Sequence, residues 1–156
     1  MPDTVGAMSD ARPEQPVGWQ DPEAVRFMLD DCLTWAVVGL SGDPDRTAYR
    51  IAELLQRRGK RIVAIHPSAA HGELVVLGER GYPTLADVPF PVDVVDVFRR
   101  SEFAGEFADQ AVAIGARAVW FQLGVVDADA FARTVRAGVP MVMDTCPAIE
   151  WARPVG

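Results

Sequence analysis

A loop rich in glycine and hydroxyl groups follows a buried apolar stretch near residue 39. The apolar run from residue 35 stops there, a helical pattern begins at about residue 46, and the loop supplies Gly39, Ser41, Gly42, Arg46 and Thr47. A helix start offers unpaired backbone N–H groups and a positive dipole end, and glycine lets a ligand approach the backbone. The segment predicts a phosphate or pyrophosphate site. A plain strand-to-helix turn capped by the threonine is the alternative.

The same loop excludes two familiar nucleotide-binding motifs. It has no Gly-Lys-Ser/Thr, so it is not the P-loop of a nucleotide hydrolase. Its glycines at 39 and 42 do not form Gly-x-Gly-x-x-Gly, so the dinucleotide fingerprint is absent as well.

Two adjacent arginines supply a second candidate phosphate contact. Phe98-Arg99-Arg100 ends an apolar run in a chain whose net charge is −7. Guanidinium groups suit phosphate oxygens, so these residues are expected to face a binding crevice. Ion pairs with Glu102 or Glu106 on the following helix are the alternative.

Three further positions follow predicted strands. His66-Pro67 stands where NAD-binding domains usually carry an acid for the ribose hydroxyls, which speaks against a dinucleotide. Gln122 and Gly124 could line a pocket for an adenine or a pantetheine arm. Cys146 could meet the thiol of a ligand, although no histidine is placed to activate it.

Strand-length apolar runs alternate with helical patterns along most of the chain. Strands are expected at 35–39, 61–65, 92–98, 118–121 and 139–143, with helices at about 21–32, 47–58, 101–115 and 127–138. A short edge strand at 74–77 and a helical turn near 84–88 complete the pattern. This order predicts an α/β fold: a Rossmann-like, doubly wound, mainly parallel sheet with helices on both faces, in three layers.

Ligands of such sheets bind where the strand order reverses. If the segment 74–77 is the outer strand, the reversal lies between the strands at 35–39 and 92–98. The loops after residues 39, 65, 98 and 121 would then meet the ligand.

Length and composition narrow the classes of protein to which the chain can belong. The 156 residues suit one domain, expected at 19–156, behind a flexible tail at 1–18 that is rich in proline and glycine. The acidic balance speaks against nucleic acid. No run is long and apolar enough for a membrane span and no secretory signal opens the chain, so a cytoplasmic protein is expected. Two cysteines and two histidines offer little for a metal site.

Several motifs occur together and in order, and together they resemble a known family. They are Val37-Val-Gly-Leu-Ser41, His66-Pro67, Val92-Asp-Val-Val-Asp-Val-Phe-Arg-Arg100, Trp120-Phe-Gln-Leu-Gly124 and Asp144-Thr-Cys-Pro-Ala-Ile-Glu150. Over about residues 21–151 the chain resembles the small stand-alone CoA-binding proteins, which are similar to the N-terminal CoA-binding domain of the succinyl-CoA synthetase alpha subunit.

The resemblance implies a protein that binds CoA or acyl-CoA across the strand ends. Its phosphate loop would be Ser41 to Thr47, with further contacts from His66-Pro67, Phe98-Arg99-Arg100 and Gln122-Leu123-Gly124. The family usually has Asn before the proline, where this chain has His66. The synthetase domain that carries the phosphorylated histidine is absent, so binding without catalysis by this chain is expected.

Two other functions stay open beside CoA binding. One is an NAD(P)-dependent oxidoreductase, for which we find neither an acid near residue 66 nor a catalytic Tyr-Lys or His pair. The other is a thiol-handling protein that forms a mixed disulfide with CoA through Cys146. A homo-oligomer, or a partner protein that supplies catalysis, also stays open.

Overall fold

The computed structural model describes residues 16–154, so residues 1–15 of the predicted tail lie outside it. The strands are β1 (Thr34–Val38), β2 (Arg61–Ile65), β3 (Val75–Val76), β4 (Glu79–Arg80), β5 (Val94–Val97), β6 (Ala118–Phe121) and β7 (Met141–Val142). The α-helices are α1 (Pro22–Arg26), α2 (Thr47–Arg57), α3 (Ser101–Ala113), α4 (Ala128–Arg136) and α5 (Pro147–Ala152).

Shorter helical segments complete the fold. The 3-10 helices are Pro16–Gln20, Pro67–Ala70 and Leu85–Asp87, and a π-helical turn, Phe27–Asp31, continues α1. The first of these contains residues 16–18 of the predicted tail. It lies beside β7, because the Met143 N–H donates to the Trp19 carbonyl over 2.8 Å.

The main sheet is parallel and doubly wound, in the order β2-β1-β5-β6-β7. The α/β Rossmann-like prediction is therefore confirmed, and the reversal of strand order lies between β1 and β5 as expected. The premise that residues 74–77 form the outer strand is wrong. Leu77 and Gly78 have φ values of 53° and 82°, so the chain turns back and β3 pairs antiparallel with β4 outside the main sheet.

Helices cover both faces of this sheet. On one face of the sheet, a buried cluster joins the strands to α1 and α2. On the opposite face, a second cluster joins the strands to α3 and α4. Helix α3 packs through four small residues, Ala104, Gly105, Ala108 and Ala111, whereas the larger Phe103 is 39% exposed. These small residues let α3 lie close to the start of α4, where a Cβ on Gly105 would come within 2.7 Å of Asp127 Oδ2.

One carboxyl group is buried inside the sheet. Asp96 of β5 has no exposed surface, its Oδ1 accepts from Gln122 Nε2 over 2.6 Å, and its Oδ2 has no partner among the described residues. Burial disfavours the charged form and raises the pKa of Asp96 to about 7, against the opposing effect of the Gln122 hydrogen bond. The fold therefore carries a carboxyl group that prefers to hold its proton.

We expect Asp96→Asn to stabilise the protein in a pH-dependent way. Between the ordinary pKa of 3.8 and about 7, the folded state holds a proton that the unfolded chain has released. Stability from this group is therefore lost as the pH rises through that window and stays low above it. Asparagine mimics the protonated acid and should raise the free energy of unfolding at pH 8 by about 2–4 kcal/mol, at about 1.4 kcal/mol per pKa unit.

Chemical denaturation of both proteins at pH 5 and pH 8 measures this difference. The advantage of the asparagine variant should be about two- to three-fold smaller at pH 5. An equal advantage at both pH values would contradict the assignment.

Candidate functional site

Among the described residues, no side chain caps the start of α2. Arg46 occupies the N-cap position with φ −88° and ψ 147°, and neither it nor Thr47 accepts a capping bond there. Within residues 16–154, six backbone N–H groups of this segment have no protein acceptor: those of Leu40, Ser41, Gly42, Asp43, Thr47 and Ala48. Such donors at a helix N-terminus suit an anion. The alternative of a threonine-capped turn is not what the structure has.

Gly39 seats this loop against the neighbouring strand. Its φ is +98°, its N–H donates to the Ile65 carbonyl over 2.9 Å, and a Cβ there would lie 3.1 Å from the Phe98 carbonyl oxygen. The position thus requires glycine both for its backbone angle and for the close approach of β5. The loop after β1 and the loop after β5 meet at the strand-order reversal.

His66 caps the turn that follows β2. Its Nδ1 accepts from the Ser68 N–H over 3.1 Å and lies 2.8 Å from Ser68 Oγ, at the start of the 3-10 helix that Pro67 opens. An asparagine oxygen could accept the same bond, so the histidine preserves the turn. In a neutral ring whose Nδ1 accepts, the proton is on Nε2, which is left as a donor.

The paired arginines lie over aromatic rings. The Arg99 guanidinium is 5.3 Å from the Phe103 ring centroid and 5.5 Å from that of Phe107, and Arg100 is 5.4 Å from Phe103. Within the described part of the chain, neither of them, nor Arg46, has a carboxylate within 4.0 Å. The alternative of ion pairs with Glu102 or Glu106 is therefore not what the structure has, and among the described residues these three cations have no carboxylate counter-charge.

Two cavities open at the carboxyl ends of the strands, and Phe98, Arg99 and Arg100 line both. A cavity of about 520 Å³ lies towards β2 and is also lined by Gly39, Arg46, His66 and Pro67. A cavity of about 460 Å³ lies towards β6 and β7 and is also lined by Thr47, Gln122, Leu123, Gly124 and Cys146. Ten of the twelve predicted site residues therefore line these two neighbouring cavities, which share three lining residues and together are called the crevice below, while Ser41 and Gly42 belong to the loop beside it.

Hydrogen bonds hold the β6 side of the crevice in place. The Gly124 N–H donates to Asp144 Oδ1 over 2.8 Å, and Asp144 itself has a φ of +60°. Ser101, the first residue of α3, accepts from the Val126 N–H over 2.9 Å. Gly124 thus shapes the cavity wall, but its N–H is already used by Asp144. The sequence motif predicted no role for Asp144, and the structure shows that it holds this wall in place.

The two cysteines have different surroundings. Cys146 is half-buried at the wall of the β6-side cavity. Cys32 is fully buried, and desolvation raises the pKa of its thiol to about 11. Only Cys146 can therefore meet a molecule in the crevice. Within residues 16–154 no group of three potential metal ligands comes together, and no helix there combines the length and apolar character that a membrane span requires.

Comparisons with known proteins agree with this geometry. A family model described as a CoA binding domain matches residues 33–152. The uncharacterized protein YneT of Bacillus subtilis is 33% identical over 122 residues, which cover 78% of this chain and 87% of that protein.

Two solved structures extend the comparison. A hypothetical protein from Pyrococcus horikoshii has a TM-score of 0.77 at 30% identity, with 96% of this chain and all of that chain covered. An acetyl-coenzyme A synthetase from Ca. Korarchaeum cryptofilum shares the fold, with a TM-score of 0.60 at 22% identity, over 76% of this chain and 27% of that enzyme.

We expect Gly39→Ala to destabilise the protein more than Gly59→Ala. Both glycines have positive φ, +98° and +89°, so both variants pay about 1–2 kcal/mol for a left-handed backbone. Only at residue 39 does the new methyl group also press on the Phe98 carbonyl, which adds about 1 kcal/mol or more, whereas nothing lies within 4 Å at Gly59. Urea denaturation of the two variants measures the difference, and equal losses would show that the close approach is unimportant.

Proposed function

The chain belongs to the family of CoA binding domains, and from this membership we propose that it is a CoA- or acyl-CoA-binding protein without catalysis of its own. The ligand pyrophosphate would lie at the loop between β1 and α2. The observation that carries the proposal is the uncapped start of α2, with N–H groups that have no acceptor among residues 16–154. Beside it lie three arginines that have no carboxylate partner in the same range.

The two cavities suit the two halves of the ligand. The larger one combines Arg46 with His66 and the apolar ring of Pro67, which fits an adenosine and its 3′-phosphate. The other one contains the exposed Leu123 and the thiol of Cys146, which fits a pantetheine arm and its sulfur. We place the nucleotide half on the β2 side and the arm on the β6 side.

Nothing in the crevice favours the oxidoreductase alternative. His66 stands where a ribose-binding acid would be needed, and its Nδ1 is engaged by Ser68. Lys60, the single lysine of the chain, donates to the Cys32 carbonyl over 2.8 Å before β2 begins, at the opposite end of the sheet.

We expect Arg99→Ala and Arg100→Ala to weaken CoA more than dephospho-CoA. If either guanidinium contacts the 3′-phosphate, the loss for CoA is about 1.5–3 kcal/mol, the range for a hydrogen bond to a charged group, and dephospho-CoA loses much less. Isothermal titration of both ligands measures the difference. Arg57→Ala, which removes an exposed arginine paired with Glu53 on α2, is the matched control and should change neither affinity.

Equal losses for the two ligands would assign the arginines to the pyrophosphate or to packing on Phe103. Absence of CoA binding by the unaltered protein at high micromolar concentration would overturn the proposed function itself.

Thiol exchange with CoA disulfide is a second candidate, favoured by the place of Cys146 in the β6-side cavity. The Cys146 thiolate would attack one sulfur of CoA disulfide, form a protein–S–S–CoA bond and release the other CoA as a thiolate. No outside oxidant is needed, because one disulfide is exchanged for another.

We expect intact mass spectrometry after treatment with CoA disulfide to detect one CoA adduct on the native protein. Cys146→Ser should abolish the adduct and Cys32→Ser should retain it, since Cys32 is buried and its raised pKa keeps it protonated. An adduct that persists in Cys146→Ser would show that Cys146 is not the residue that exchanges with CoA disulfide.

A further inference from the structure

A buried contact lies directly beneath the β6-side cavity. In the sheet register Asp96 stands between Val37 of β1 and Trp120 of β6. Gln122 lies two residues beyond Trp120, on the same face, and is only 4% exposed. Its side chain therefore joins the floor of the cavity to a carboxyl group inside the sheet.

The contact fixes which end of the Gln122 amide is used. Asp96 Oδ1 accepts from Gln122 Nε2 over 2.6 Å, so the amide nitrogen points into the sheet. Gln122 Oε1 has no hydrogen-bond partner among residues 16–154. Unlike Asp96 Oδ2, this oxygen is not completely enclosed and keeps some accessible surface. Because Gln122 lines the cavity, this oxygen is the polar atom that it can offer to a ligand.

Packing alone does not explain why an aspartate occupies position 96 of β5. The other residues of β5 are Val94, Val95 and Val97, all fully buried. A fourth valine would fit the same surroundings, whereas a buried carboxyl with one unpartnered oxygen costs stability. The hydrogen bond that Asp96 accepts from Gln122 offers a reason for a residue that costs stability.

We propose that Asp96 is a positioning residue that holds the Gln122 amide so that its carbonyl oxygen accepts a hydrogen bond from an amide N–H of a pantetheine arm. The arm of CoA contains two secondary amides, and each has one N–H donor. This inference rests on the proposed function and deepens it, because it names the group of the ligand that the cavity recognises. The nucleotide half of CoA has no such amide and gains nothing from Gln122.

The test compares CoA with 3′-phospho-ADP, which is the same nucleotide without the arm. Affinities for both are measured by isothermal titration with the native protein, Gln122→Met, Asp96→Val, Asp96→Asn and the double variant Asp96→Val/Gln122→Met. Thermal unfolding verifies that each variant is folded. The ratio of the two affinities is the readout, since a purely structural role of Asp96 would lower both together.

We expect the native protein to bind CoA more tightly than 3′-phospho-ADP. Gln122→Met and Asp96→Val should each reduce that preference about 3- to 10-fold, the range of one hydrogen bond. Asp96→Asn keeps an acceptor oxygen and should retain most of the preference. The double variant should lose no more than Gln122→Met alone, because Asp96 acts through Gln122.

The outcomes separate the two proposals. No CoA binding by the native protein overturns the proposed function and this inference with it. CoA binding with an unchanged ratio in Gln122→Met overturns the inference alone, and this result does not depend on whether Asp96→Val folds. Losses that add in the double variant would show that Asp96 does not act through Gln122.

Discussion

The crevice depends on one topological constraint, the reversal of strand order between β1 and β5. At this point the chain leaves two adjacent parallel strands towards opposite faces of the sheet, which opens a gap above their carboxyl ends. Gly39 lies at the base of that gap, where a Cβ would come within 3.1 Å of the Phe98 carbonyl oxygen and would force the neighbouring strand end to shift. The free start of α2, the arginines after β5 and the wall after β6 all take their places around this reversal.

Local electrostatics differ from those of the whole chain. The protein carries a net charge of −7, yet Arg46, Arg99 and Arg100 gather at the crevice, and the last two rest over phenylalanine rings. Rings hold a guanidinium in position without neutralising it. The N–H groups of α2 add the positive end of a helix dipole. Such a site attracts a polyanion although the molecule as a whole repels one.

Local sequence patterns predicted most of the fold and the composition of the crevice, because apolar runs and glycine positions act over a few residues. Gly39 and the strand Arg61–Ile65 are examples. The failures involve contacts between distant segments. The turn at Leu77 diverts the expected edge strand, which therefore pairs outside the main sheet. The partnership of Asp96 with Gln122 depends on the strand register, which no single motif contains.

In the proposed binding mode, the loop after β1 and the start of α2 hold the ligand phosphates through backbone N–H groups. A titration of the ¹⁵N-labelled protein with CoA, followed by amide chemical shifts, tests it most directly. We expect the largest shifts at Ser41, Gly42, Thr47 and Ala48, at CoA concentrations well below those that NAD requires. Shifts that avoid these amides, or a stronger response to NAD than to CoA, would contradict it.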